Sequence, residues 1–220
     1  MNYDFSRVMK TASIRSLFAF ALVVACALSA VAVASAQSAN FPTTPGEITP
    51  PVGNVPFLLG HAQGSQGYIC LPNPDGTTSW TVNAPRPEAT LFSDGLGKGF
   101  QIITHFASIN AKPKPGITPP LSGNATWQSS LDTSKVWAAA VNHIDAGTDA
   151  SCPHNGSIAC LLLQSVGNQA GSTGGRLLAN VTFVQRLNTN GGLAPTTACS
   201  VGQTQLVPYT ADYVFFRKGQ

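Results

Sequence analysis

The chain carries few side chains suited to catalysis. Its histidines are His61, His105, His143 and His154. A general base must lie within hydrogen-bond reach of the proton that it removes. On a predicted strand, His105 stands on the face opposite Phe100, Ile102 and Phe106, where solvent or a groove would reach it. His105 is therefore the catalytic candidate, as the base of a hydrolase, and a structural histidine is the alternative.

No nucleophile motif accompanies His105. A serine hydrolase of the GxSxG type holds its serine on a sharp turn between a strand and a helix. Gly64-Ser65-Gln66-Gly67 and Gly171-Ser172-Thr173-Gly174 lack that pattern and have the composition of turns. Whether the protein turns over any substrate stays open at this point.

Residues of metal-ligating type are concentrated in one segment: His143, Cys152, His154 and Cys160. Their spacing matches no common zinc finger. Asp145 and Asp149, around Gly147, lack the further alternating oxygens and the terminal Glu of a calcium loop. The sequence therefore predicts no metal site.

The cysteines predict disulfides instead. Cys26 lies in an N-terminal apolar segment, and the four that remain are Cys70, Cys152, Cys160 and Cys199. An even number of cysteines in a chain bound for an oxidising compartment pairs by default. Of the three pairings that four cysteines allow, we favour Cys152 with Cys160 across a short loop and Cys70 with Cys199.

The N-terminus has the pattern of a secretory signal peptide. Basic residues precede an apolar run, 17–34, that closes on Ala34-Ser35-Ala36. We predict cleavage after residue 36. The alternative is an uncleaved anchor, since the run approaches the roughly 20 residues that span a bilayer. No second stretch does so. We therefore expect a secreted protein with no membrane span after cleavage.

Charge patterning excludes one class of partner. The signal peptide removes basic residues, which leaves positive and negative charges nearly balanced. No basic cluster interleaved with aromatic residues follows it, so the electrostatic footprint of nucleic-acid binding is missing. An extracellular ligand or cell-wall polymer is the partner that we expect.

The elements that must position these residues are strands. Five prolines within 37–56 predict an extended arm laid over the surface. The segments with strand composition or period-two alternation are 67–71, 78–82, 89–93, 100–107, 158–164 and 209–215, whereas 132–141 is ambiguous. We predict an all-β fold for 57–220, a single antiparallel β-sandwich or barrel-like domain with little helix.

The longest alternating segment is 176–188. One face carries Leu177, Ala179, Val181, Phe183 and Leu187, and the other carries Arg176, Asn180, Thr182, Arg186 and Asn188. We expect the first face in the core, the second directed away from it, and a bulge within so long a strand. Gln185 interrupts the apolar face and needs a buried partner or a bulge.

Binding residues and glycosylation sites are expected on the polar surface. Trp127, Arg186 and Gln185 are the binding candidates, because an aromatic platform with polar neighbours can hold sugar. Core packing is the alternative for at least two of Trp80, Trp127 and Trp137. Sequons predict glycosylation candidates at Asn124, Asn155 and Asn180.

Several short motifs together resemble the domain-of-unknown-function 3455 family. They include Gly64 to Cys70, Thr104-His105-Phe106, Ala125-Thr126-Trp127, Val184-Gln185-Arg186, Thr189 to Gly192 and Tyr209 to Tyr213, in this order. The resemblance spans roughly 57–217 and implies a secreted or surface domain without an established activity. The chain departs from the family pattern in a Pro-rich insertion, 110–123, between His105 and Trp127.

Some members of this family carry a malate-dehydrogenase-like label, which would imply a nicotinamide cofactor. Such a cofactor needs GxGxxG between a strand and a helix, because the helix N-terminus holds the pyrophosphate. Gly95-Leu96-Gly97-Lys98-Gly99 lacks that spacing and runs into a predicted strand. We predict no cofactor.

Overall fold

The computed structural model describes residues 41–94 and 99–219, with the side chains of 84–87 left out. The predicted signal peptide (1–36), the first residues of the arm (37–40) and most of the Gly95–Gly99 segment lie outside the described residues. Within the described residues, no helix is long and apolar enough to cross a membrane.

The described chain folds into a closed antiparallel barrel of eight strands, in which each strand pairs with its chain neighbours and the last pairs with the first. The strands are β1 Asn54–Pro72, β2 Thr78–Ser93, β3 Phe100–Ser108, β4 Asn124–Ser129, β5 Lys135–Ile144, β6 Cys160–Gln169, β7 Val181–Gly191 and β8 Thr204–Lys218. One short 3₁₀ turn, Gly46–Ile48, lies before them. The all-β prediction is confirmed, and the architecture is a barrel rather than a sandwich.

The main core fills the barrel. Residues that pair across adjacent strands face the same side of a sheet, so the buried residues can be followed around the ring of strands. All eight strands contribute to this core, with Ala62, Leu91, Ile103, Trp127, Val136, Leu163, Val184 and Phe215 among its members. The ambiguous segment 132–141 belongs to β5, whose residues Val136 to Ala138 are buried.

A second apolar cluster lies on the outer face of β6, β7 and β8. It is formed by Leu162, Phe183, Leu187, Val214 and Phe216, and Ile48 of the N-terminal arm packs on it with none of its surface exposed. We call this cluster the outer cluster. The arm is therefore held to the barrel by apolar contact, which prolines permit because they keep the segment extended.

The predicted faces of the strand at 176–188 hold at Val181, which lies in the barrel core, and are reversed from Phe183 to Leu187. Residues 177–180 form a turn, so β7 begins only at Val181, and the register shifts twice along it, as expected for bulges. Val184 belongs to the barrel core, whereas Phe183 and Leu187 belong to the outer cluster. Arg186 pairs directly with the core residue Tyr213 and so faces inward. Alternation could not reveal this, because the arm buries the outer face as well.

Both favoured disulfides are present, Cys70–Cys199 and Cys152–Cys160. The first attaches the loop between β7 and β8 to the end of β1. The indole Nε1 of Trp80 donates a hydrogen bond to the carbonyl of Thr197, 3.0 Å away, and fixes the same loop to β2. The β1–β2 hairpin predicted at 67–82 is confirmed, although both strands are longer than expected.

Candidate functional site

His105 and Trp127 form a stacked pair inside the barrel. They are directly opposite each other across β3 and β4, and their rings lie 4.4 Å apart and 8° from parallel. The insertion 110–123 leaves β3 after these residues have paired and bonds to β6 through Lys114 and Pro113, so it does not separate His105 from Trp127. Tyr213 of β8 reaches them from across the barrel, with ring centroids 5.4 Å from His105 and 5.5 Å from Trp127.

Arg186 and Tyr209 complete this group. The Arg186 guanidinium donates from Nε and Nη2 to the carbonyl of Ala159, at 3.2 and 2.8 Å. The hydroxyls of Tyr209 and Tyr213 are 3.1 Å apart. We call His105, Trp127, Arg186, Tyr209 and Tyr213 the interior polar cluster. The structure therefore brings together three residues that the sequence had singled out separately: His105, Trp127 and Arg186.

His105 is neutral at physiological pH. Burial lowers the pKa of its imidazole to about 4, although the hydrogen bond to the Thr126 carbonyl opposes this shift. Because a carbonyl only accepts, the ring must donate to it from Nδ1, at 2.9 Å. Only 4% of the residue is exposed, so the expectation that solvent would reach it was wrong, although the residue does border a hollow. The cause is a register shift at Ile102, which leaves both Ile102 and Ile103 buried.

The same burial raises the pKa values of the two tyrosines. Desolvation dominates for both hydroxyls, and the positive charge of Arg186 opposes it in each case. Tyr68, near the end of β1, also has a raised pKa through burial, and its hydroxyl donates to the Gly192 carbonyl at 2.6 Å. The cluster is thus a set of neutral donors around one cation.

A groove runs over the outside of β1, β2 and β3. The pairing of β2 with β3 ends at Ala89 and His105. Beside this last pair lies a hollow of about 470 Å³. Its lining includes residues from the outward and the inward face of the sheet, among them Gln63, Thr90, Thr104, His105 and Phe106. A second hollow of about 400 Å³ shares Gln63 with it and continues towards His61, Phe92 and Asp94. We call the two adjoining hollows the outer groove.

His61 lines the outer groove and makes contacts that the sequence did not predict. Its Nδ1 lies 2.6 Å from the Asp212 carboxylate and its Nε2 lies 3.0 Å from that of Asp94. Burial lowers the pKa of His61, but hydrogen bonds to both aspartates and their charges outweigh it, so the pKa is raised. Asp212 stands 151 positions away in the chain, and no local pattern could have linked the two.

The other binding candidates have structural partners. Gln185 is 2% exposed and its Nε2 donates to the Ile48 carbonyl at 2.7 Å and to Thr44 Oγ1 at 3.1 Å. Thr44 and Ile48 belong to the N-terminal arm, which is therefore the buried partner that we expected for Gln185. Trp127 and Trp137 are each 1% exposed, which agrees with core packing for two of the three tryptophans. Trp127 therefore offers no ring face at the surface.

The sequons differ in exposure. Asn155 and Asn180 are exposed, whereas Asn124 is half-buried and its side-chain oxygen lacks a hydrogen-bond partner among the described residues. Asn180 lies in the turn before β7 rather than on a strand, and accepts a hydrogen bond from Arg176. Cys152 and Cys160 are joined to each other, so neither thiol is free to ligate zinc. Among the described residues, no group of three or more His, Cys, Asp or Glu side chains is arranged to hold a metal ion.

Fold and site together define a disulfide-linked, eight-stranded antiparallel barrel protein with a polar, aromatic cluster inside the barrel. The chain belongs to the family described as protein of unknown function (DUF3455), whose sequence profile matches residues 51–217. The resemblance to this family is thereby confirmed. No significant match to the chain was found among curated proteins or among solved structures.

Proposed function

We propose that the protein is a secreted, extracellular binding module whose outer groove holds an uncharged polysaccharide chain. The observation that carries the proposal is the continuity of the two hollows through Gln63. Two adjoining hollows form an elongated site, which suits an extended polymer better than a compact molecule. The two disulfides and the signal-peptide pattern are compatible with an extracellular location.

The chemistry of the groove suits sugars. Gln63, Thr90 and Thr104 offer uncharged donors and acceptors at its surface, and Phe92 and Phe106 are half-buried beside them. Binding sites for neutral ligands combine apolar surface with a few placed polar groups. The described lining of the two hollows includes the acidic residues Glu88 and Asp94, whose charge disfavours an acidic polymer.

The hydrolase alternative based on His105 has less support. The imidazole is buried against Trp127, its Nδ1 donates to a backbone carbonyl, and its low pKa makes it a poor base near neutral pH. Burial in the barrel therefore favours a structural role for this histidine and a binding role for the groove outside it.

Retention on insoluble cellulose and chitin tests the proposal. We expect wild-type protein with intact disulfides to be retained, and Gln63→Ala combined with Phe106→Ala to weaken retention roughly thirtyfold, since each removed contact contributes about 1 kcal/mol. Val141→Ala is the matched control, because Val141 is 53% exposed on β5, away from the groove. Equal retention of all three proteins, or none of the wild type, would refute the proposal. New reducing ends in the same incubations would contradict a purely binding role.

A further inference from the structure

The interior polar cluster has more hydrogen-bond donors than acceptors. Trp127 is 1% exposed, and its indole Nε1 has no hydrogen-bond partner among the described residues. Tyr209 and Tyr213 carry two hydroxyl hydrogens, and only one of them lies between the two oxygens. Buried donors without partners destabilise a fold, because they lose their hydrogen bonds to water. Their concentration here needs an explanation that packing does not supply.

Arg186 adds a positive charge to the same group. The ion pairs between described residues are those of His61 with Asp94 and Asp212, so no described carboxylate lies within 4.0 Å of Arg186. Its partners are instead neutral acceptors, the carbonyl of Ala159 and the hydroxyl oxygen of Tyr213. Cations inside proteins are as a rule paired, because desolvation of an isolated charge is unfavourable. The cluster lacks the negative charge that would complete it.

The cluster also borders, through His105, the larger of the two hollows of the outer groove. Beyond Ala89 and His105, β2 and β3 no longer pair, and His105 borders the hollow at that point. Gly64 lines the same hollow, and an added Cβ there would clash with the Glu88 carbonyl, so the backbones of β1 and β2 are in close contact. A small molecule in the hollow therefore meets the imidazole edge of the cluster first.

We propose that the interior polar cluster binds a carboxylate, with Arg186 as its counter-ion and Tyr209, Tyr213 and Trp127 as hydrogen-bond donors. The guanidinium fork matches the planar geometry of a carboxylate, which accepts two parallel hydrogen bonds. The part of the ligand that enters the cluster must be small, because the centroids of the cluster's rings are only 4.4–5.5 Å apart. With its proton on Nδ1, His105 offers only an accepting Nε2 and is therefore not one of the donors to the carboxylate.

Thermal unfolding at pH 7 with added acetate or glucuronate tests this site, with chloride and phosphate at equal ionic strength. Acetate represents a free small acid, and glucuronate represents an acidic sugar. We expect a saturable rise in Tm of roughly 2–4 °C with at least one carboxylate. Equal shifts with chloride, phosphate and both carboxylates would overturn the proposal, as would no shift at all.

Variants assign the effect to the cluster. Arg186→Gln should abolish the carboxylate-dependent shift, whereas Arg176→Gln, at an exposed arginine, should keep it. Tyr209→Phe preserves the ring and should weaken carboxylate binding about tenfold in calorimetry, which keeps the proposal testable if Arg186→Gln does not fold. A full shift in Arg186→Gln, or unchanged affinity in Tyr209→Phe, would contradict it. Polysaccharide retention through the outer groove does not depend on this result.

Discussion

His105 and His61 show how differently the barrel treats one residue type. His105 is enclosed with Trp127, and burial holds its pKa at about 4. His61 is 40% exposed on the outside, where Asp94 and Asp212 raise its pKa. The folded state therefore opposes protonation of the first histidine and favours protonation of the second. Their contributions to stability have opposite pH dependence.

Acid should destabilise the protein through His105. The unfolded chain takes up the proton near pH 6.5, whereas the folded chain does so only near pH 4. The contribution of His105 is therefore lost as pH falls between these values, by up to about 3 kcal/mol. We expect His105→Gln to have a shallower loss of unfolding free energy from pH 7 to pH 4.5 in urea titrations. His143→Gln, at an exposed histidine, should behave as wild type; identical pH profiles for all three would disprove this account.

At the scale of elements, the N-terminal arm acts as an outer layer of the barrel. Ile48 covers the outer cluster, and its carbonyl accepts the hydrogen bond of Gln185. The arm thus buries the outer face of β7 while the core buries the inner face. This double burial accounts for the buried glutamine in a strand that otherwise has apolar neighbours.

Truncation of the arm's apolar anchor should loosen it. Ile48→Ala removes a fully buried side chain and should lower the unfolding free energy by about 2–5 kcal/mol. Val52→Ala is the matched control, because Val52 lies in the same segment and is fully exposed. Urea unfolding measures the loss, and limited proteolysis before residue 54 should be faster in Ile48→Ala alone. Equal stability of the two variants would show that the arm is not anchored there.

For the whole molecule, the two disulfides close loops of very different length. Cys70 and Cys199 are 129 positions apart, and Cys152 and Cys160 are 8 apart. A longer loop removes more conformational freedom from the unfolded chain. The first bridge also ties the last long loop to β1, next to the strand pair that closes the barrel.

Removal of the long-range bridge should destabilise the protein more than removal of the short one. In the chain-entropy account, Cys70→Ala with Cys199→Ala should lower the unfolding free energy by about 5 kcal/mol, and Cys152→Ala with Cys160→Ala by about 2.5 kcal/mol. Urea unfolding of both double variants beside wild type measures the difference. A larger loss for the short bridge would mean that packing around Cys152 and Cys160, both fully buried, outweighs loop entropy.

Short sequence patterns predicted those features of the fold that depend on residues close together in the chain. Period-two alternation and the turn residues between the segments predicted an all-β fold, the β1–β2 hairpin and a last strand through Tyr209 and Tyr213. Cysteine count and spacing predicted both disulfides. These features depend on backbone preferences and on thiol pairing, which short stretches of sequence express.

Only the tertiary structure decided which side of each strand is inside. Alternation predicted that Arg186 faces away from the core, but the arm covers the opposite face of β7 and Arg186 turns inward. The register shift at Ile102 likewise moved His105 into the barrel. His61 contacts Asp212 because β8 pairs with β1 and places the two residues opposite each other. The sequence alone determined a disulfide-linked, all-β protein of a known family; closure of the barrel determined the interior polar cluster and the outer groove, since both depend on contacts between distant residues.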